Sequence, residues 1–202
     1  LTALARFFRI SLSKGSNIIP IGDEIEHARN YLTIQKMRYK NKFSADISVE
    51  PGVEKLYTIK LIIQPILENA IYHGMEYADG DGEIHIRAFR EEETVVIEVE
   101  DNGRGCPVDW NPKEKRFNWE LVYCELYAGG KYNNLDGDNY EYSLGLNGLG
   151  ACATQYSSEY MDVTVIRDGF EYGLHFEKGE NIGGLKTVSY THLRAHETDS
   201  YL

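Results

Sequence analysis

The sequence predicts an α+β domain, a two-layer sandwich in which a mixed sheet is covered by helices on one face. Three observations predict it. Strand-like runs alternate with runs of helical spacing, in the order helix, strand, helix, strand, strand, loop region, helix, strand, strand. The 202 residues are 42% hydrophobic, with 19 glycines against 5 prolines, which gives a packed core with glycine-rich loops. The net charge is −11 and no long segment is basic, which excludes a bare duplex-DNA binder, because neutralising phosphates needs clustered Lys and Arg.

Residues 1–13, LTALARFFRISLS, alternate apolar and basic positions at helical spacing, as at the end of a longer helix that begins upstream. GSNIIPIG is a connector. Asp23 is the expected cap of a helix running to about Tyr39, with Ile25, Ala28, Leu32 and Ile34 as apolar positions. FSADISVE reads as a strand and PGVEK as a turn. YTIKLIIQPILENAIYHGM carries the strongest helical pattern, through Ile59, Ile62, Ile63, Ile66, Leu67, Ala70 and Ile71, with Gly74 ending it. Pro65 inside that pattern implies a kink.

GEIHIRAFR and TVVIEVED are strands joined by the acidic turn EEE. Residues 102–144 read as an irregular loop region with a short helix near 118–127. GLNGLGACATQYSSEY opens on glycines and becomes helical, and MDVTVIRDGFEYGLHFEKG is a hairpin turning at RDG. The segments are therefore 1–20, helix end and connector; 21–187, one domain; and 188–202, VSYTHLRAHETDSYL, expected to be disordered and non-native. Cys106, Cys124 and Cys152 form no CxxC pair and are odd in number, which points to a reduced, cytoplasmic setting. No apolar run approaches the ~18 residues of a membrane helix.

Three pieces fit one ligand. In ENAIYHG, Asn69 stands one turn before His73 on a helix face, and an amide oxygen is a hard donor suited to magnesium. In DNGRG, Asp101 ends a strand, so its carboxylate projects and accepts from an exocyclic amine, which selects adenine over guanine. Gly103 and Gly105 let the backbone approach a flat base or ribose. In GLNGLG, Leu146, Asn147, Gly148, Leu149 and Gly150 lead into a helix, a place where successive amides grip phosphate, and Lys131 adds a point charge near the terminal phosphate. No GKS or GKT ending follows, so this is not a Walker loop. Each piece read alone is an ordinary helix-surface Asn, an Asx-Gly turn and a glycine-rich loop; their order and separation carry the reading.

That order resembles the GHKL superfamily of ATP-binding domains, with ENAIYHG as its N box, DNGRG as its first glycine box and GLNGLG as its lid and phosphate loop. The resemblance implies the Bergerat α/β sandwich and binding of ATP with Mg2+. It implies that Asn69 holds the metal, Asp101 the adenine amine, and Gly103 and Gly105 the adenosine wall, with Leu146 through Gly150 around the phosphates.

The finer resemblance changes at the glycine box. Residues 1–105 resemble a sensor histidine kinase of the autolysin-regulator class, through FFRISLSKG, EIEHARNYLTIQKMRYKNKF and IIQPILENAIYHG. Residues 101–187 resemble the ATPase domain of gyrase B, part of a type IIA topoisomerase, through DNGRGCPVDWNPKEKRFNWELVYCELYAGGKYNN, YSLGLNGLGACATQYSSEYMDV and FEYGLHFEKGENIGGLK. The chain thus has the look of a chimera, natural or assembled. In the gyrase pattern a general-base glutamate lies four residues before the magnesium asparagine; here that position is Pro65, while Glu68 belongs to the kinase version of the box and is the weak candidate base. The expected activity is magnesium-dependent ATP binding with slow hydrolysis. The kinase resemblance implies a response regulator as partner and a membrane-anchored parent; the gyrase resemblance implies an A-type topoisomerase subunit and DNA reached through other domains. Either is compatible with a homodimer. A non-catalytic interaction domain with an empty pocket is the alternative from another class.

Overall fold

The structure is a computed structural model that describes residues 16–71, 81–126 and 150–189. A short strand, β1 (Ile18–Pro20), leads into helix α1 (Ile21–Arg38). The helix starts two residues before Asp23, which lies in its first turn and does not cap it. Pro20, with extended backbone, takes the capping position, and Asp23 and Glu24 favour the positive end of the helix dipole. Lys36 and Arg38 suit the other end, and Lys40 and Asn41, both at positive φ, turn the chain out of the helix.

Strand β2 (Phe43–Val49) follows, then a turn with one 3-10 turn at Val53–Lys55 and a strand, β3 (Tyr57–Ile59), paired antiparallel with β1. This corrects the long helix expected from Tyr57. Residues 57–59 are extended, and helix α2 (Gln64–Asn69) starts at residue 64. Pro65 sits in its first turn, where the missing amide hydrogen is harmless, so it begins a helix and does not kink one. Gly74, His73 and the rest of 72–80 lie outside the described residues.

Strands β4 (Gly82–Glu91) and β5 (Thr94–Asp101) form the expected antiparallel pair, and β2 joins β4 in parallel, so the three-stranded sheet β2-β4-β5 is mixed. Along β4 the residues alternate strictly between buried and exposed up to Ala88, and Ile84, Ile86 and Ala88 face the helices. Leu67 and Ile71 are fully buried against that face with Ile21, Ile25, Ala28 and Leu32 of α1. Each large apolar side chain buried this way contributes about 1.5–3 kcal/mol.

After a two-residue hairpin pair, β6 (Trp110–Asn111) and β7 (Arg116–Phe117), come helices α3 (Asn118–Tyr123) and α4 (Gly150–Ser157). The hairpin β8 (Tyr160–Arg167) and β9 (Phe170–Glu177) turns at Asp168 and Gly169, as the RDG motif predicts. With β10 (Glu180–Asn181) and β11 (Lys186–Ser189) it makes a second, antiparallel sheet. The mixed sheet of the sequence reading is therefore carried by β2-β4-β5, and the later strands hydrogen-bond separately. Strand β11 runs two residues past 187, with Val188 and Ser189 opposite Glu171 and Phe170; residues 190–202 lie outside the described residues.

The second sheet has its own core, in which Phe176 is buried under Trp119 and Tyr123, with ring centroids 6.3 Å and 5.9 Å away. Gly105 adjoins it. Its φ is +72°, and a Cβ there would lie 2.7 Å from Val165 Cγ1 and 3.2 Å from the Ile166 carbonyl. Gly105→Ala should therefore lose on the order of 2–4 kcal/mol, from left-handed backbone plus overpacking. Gly169→Ala, at φ +79° with open space around it, should lose only about 1 kcal/mol. Urea denaturation of both variants without ligand checks the ranking, and equal losses contradict the close approach at Gly105.

Candidate functional site

Asp101 is the last residue of β5, where the pleat ends and the side chain stays accessible. Its Oδ1 accepts from the Gly103 amide at 2.9 Å, and among the described residues nothing else donates to it. Crowding around the carboxyl pushes its pKa up from the ordinary aspartate value, the Gly103 amide pulls it back, and the Glu100 charge adds to the rise. The following residue fixes the strand end. Asn102 Nδ2 donates to the Asp81 carbonyl at 2.9 Å, and its Oδ1 accepts from the Glu83 amide at 2.8 Å. One Asp101 oxygen thus has no donor among the described residues, at a strand end anchored by Asn102.

Asn69 ends α2, half-buried, with no side-chain hydrogen bond among the described residues. Glu68 precedes it. Burial raises the Glu68 pKa, partly offset by Gln64, whose Nε2 donates to Glu68 Oε1 at 2.7 Å. Helix α2 lies on the face formed by β4 and β5, since Leu67, Ala70 and Ile71 share a core with Ile84, Ile86, Ile97 and Val99. The Asn69 helix and the Asp101 strand therefore belong to two layers that share one core.

The last residue of the third piece packs on the same helix. Helix α4 begins at Gly150, and a Cβ there would lie 2.4 Å from Pro65 Cβ and 3.2 Å from Pro65 Cα. One turn on, the Thr154 hydroxyl donates to the Ile62 carbonyl at 3.0 Å. The position that the gyrase pattern gives to a carboxylate is occupied here by a proline packed on the helix that follows the glycine motif. Gly105 in turn touches β8. The structure thus brings Asn69, Asp101, Gly105 and Gly150 into adjoining elements. Lys131 and Leu146, Asn147, Gly148 and Leu149 lie outside the described residues.

Two residues of this neighbourhood were not singled out from sequence. Glu24 is fully buried, and its carboxylate accepts from the amides of Leu61 at 2.8 Å and Ile63 at 3.0 Å. Burial raises its pKa, and those amides pull it back. Leu61 has a φ of +62°, a left-handed conformation that disfavours a leucine by about 1–2 kcal/mol, so the carboxylate holds a strained turn. The available signal was an acid on the apolar side of a helix. Thr154, the second, had none beyond its helix.

Comparisons with known proteins place the chain in a family. Residues 55–189 match the model of the histidine kinase-, DNA gyrase B-, and HSP90-like ATPases. The chain belongs to this ATPase family. It therefore carries a GHKL-type ATP-binding domain, with the Bergerat-type α/β architecture expected from its motifs. Residues 1–43 match a second model, described as histidine kinase. The chain is similar to the B subunit of DNA topoisomerase 4 from Salmonella typhimurium, 45% identical over 46% of this chain and 14% of that protein. It is similar to the B subunit of DNA gyrase from Thermotoga maritima, 41% identical over 47% of this chain and 14% of that one. It also resembles the sensor histidine kinase BtsS of Escherichia coli, 35% identical over 49% of this chain and 18% of that protein. Each match thus spans less than a fifth of the relative's length. A solved topoisomerase IV ATP-binding domain of Francisella tularensis is 27% identical, with a TM-score of 0.46 over 63% of this chain and 54% of that one.

The contact at Gly150 generates a prediction. Alanine is the better helix former by about 0.8–1.0 kcal/mol. The 2.4 Å approach to Pro65 sets against that an overpacking penalty of about 1–3 kcal/mol. Gly150→Ala should accordingly lower the urea midpoint and not raise it. A raised midpoint would mean that α4 does not rest on Pro65.

Proposed function

We propose that this chain binds ATP as its magnesium complex, and that the Asp101 carboxylate recognises the adenine amine. The observation that carries the reading is the state of Asp101: one oxygen tied to Gly103, the other free of any described donor, at a strand end that shares its core with the Asn69 helix. A carboxylate accepting an amine hydrogen bond discriminates between purines, because guanine presents an oxygen at the corresponding position. Gly103 and Gly105 form the adenosine wall. Asn69 supplies the amide oxygen for the metal, and its side chain, without a hydrogen bond among the described residues, fits that use. Magnesium, when bound, neutralises phosphate charge. Leu146, Asn147, Gly148, Leu149 and Gly150 present main-chain amides to the phosphates, with Lys131 near the terminal one.

Hydrolysis is slow in this reading. Pro65 has no carboxylate to activate water, and a general base contributes about 10²–10⁴-fold. Glu68 is the remaining candidate base, and burial, by raising its pKa, makes its carboxylate a stronger base than an exposed glutamate's. The match of residues 1–43 to histidine kinases and the likeness to BtsS favour a second reading, the catalytic ATP-binding domain of a sensor kinase. We take the domain to be a kinase-like part to about residue 105 joined to a gyrase-B-like part, acting in the cytoplasm. Its candidate partners are a response regulator, an A-type topoisomerase subunit with DNA, or a second copy.

Calorimetry with a non-hydrolysable ATP analogue tests the site. Asp101→Asn should weaken binding by roughly tenfold or more, the scale of a hydrogen bond to a charged group. Asn69→Ala should diminish only the affinity gained by adding magnesium. Equal affinities for wild type and Asp101→Asn reject the adenine role. An absence of binding by the wild type would favour the empty-pocket alternative.

A further inference from the structure

Residues 61–65 are gripped from two sides. From α1, the Glu24 carboxylate holds the amides of Leu61 and Ile63, at 2.8 Å and 3.0 Å. From α4, the Thr154 hydroxyl holds the Ile62 carbonyl at 3.0 Å, and Gly150 rests on Pro65. The same five residues run into the helix Gln64–Asn69 and include its first two positions. A fully buried carboxylate is disfavoured by desolvation unless its lone pairs are used. No cation pairs with Glu24 among the described residues, and main-chain amides supply its hydrogen bonds instead. A buried charge with that arrangement fixes the position of the backbone it grips more tightly than apolar packing does, because any slip leaves donor and acceptor unpaired in the interior.

We propose that Glu24 is a positioning residue for nucleotide binding, setting the Asn69 helix and the glycine-opened helix α4 in one frame through the strained turn at Leu61. It acts through the backbone of residues 61–63 and touches no ligand. The inference rests on the reading of Asn69 as the magnesium ligand, and it adds what holds the helix of that ligand against helix α4. Glu24→Gln keeps the size of the side chain but turns an amide donor toward the Leu61 or Ile63 amide, so one of the two bonds is lost. Thr154→Val removes the hydroxyl on the other side at equal volume, and Thr154→Ser restores it.

The test measures affinity for a non-hydrolysable ATP analogue with and without Mg2+, on the full chain, with circular dichroism to establish folding. Glu24→Gln should reduce the magnesium-dependent gain in affinity by roughly 10–100-fold, the scale for groups that orient a metal ligand, and leave magnesium-free affinity near wild type. Thr154→Val should reduce the same gain, and Thr154→Ser should retain it. If Glu24→Gln fails to fold, the Thr154 pair decides. A merely structural role lowers both affinities equally, and that result overturns the proposal, as does an unchanged gain in every variant. A wild type that binds the analogue without any magnesium-dependent gain overturns the Asn69 reading and this inference together, whereas a wild-type gain that survives in the variants overturns this inference alone.

Discussion

A buried glutamate holding two main-chain amides is the contact on which the arrangement depends. Glu24 sits in the first turn of the long helix and reaches 37 residues along the chain to Leu61. Residues 61–63 cannot relax into a more ordinary conformation without leaving that carboxylate unpaired in the interior. With the turn fixed, Pro65 starts its helix at a set place, and that helix packs its Leu67 on the sheet of β4 and β5. The same turn offers the Ile62 carbonyl to Thr154, so the second half of the molecule is registered against the first by a hydrogen bond and a close backbone approach.

This joint matters because, among the described residues, the hydrogen-bonded sheets do not supply one. Strands β2, β4 and β5 pair among themselves, and β8 to β11 pair among themselves. Each sheet has its own apolar cluster, one around Leu67 and Ile84, the other around Phe176 and Leu121. Union between them comes from α2 against α4 and from Gly105 against β8. Both contacts need a residue without a side chain, and in both the space is already filled by a neighbour. If residues 1–105 and 101–187 descend from different proteins, these are the places where the fit between them is decided.

Much of the fold was legible because its strands alternate. In β4 the pattern of Ile84, Ile86 and Ala88 against His85 and Arg87 admits no other reading, and Asp168–Gly169 marks its hairpin by turn chemistry. The stretch from Tyr57 misleads for a physical reason. Ile59, Ile62, Ile63, Ile66 and Leu67 keep helical spacing, but Tyr57–Ile59 finds a better partner in β1, and tertiary pairing outweighs a local period. Pro65 was the corrective signal, since proline marks first turns at least as readily as kinks. The motifs at Asn69, Asp101 and Gly105 were legible as words and as parts of one expected site; the contacts that join helices α1, α2 and α4 were not, because Glu24, Thr154 and Pro65, which make them, carry no motif.

The central claim is that residues 61–65 join the two cores into one cooperative unit. Native-state hydrogen exchange across a urea series measures this directly. The account predicts that the Leu61 and Ile63 amides exchange through the same opening, with the same urea dependence, as the paired amides of β8 and β9. Leu61 and Ile63 opening at low urea, while β8 and β9 stay protected to the global transition, would contradict it.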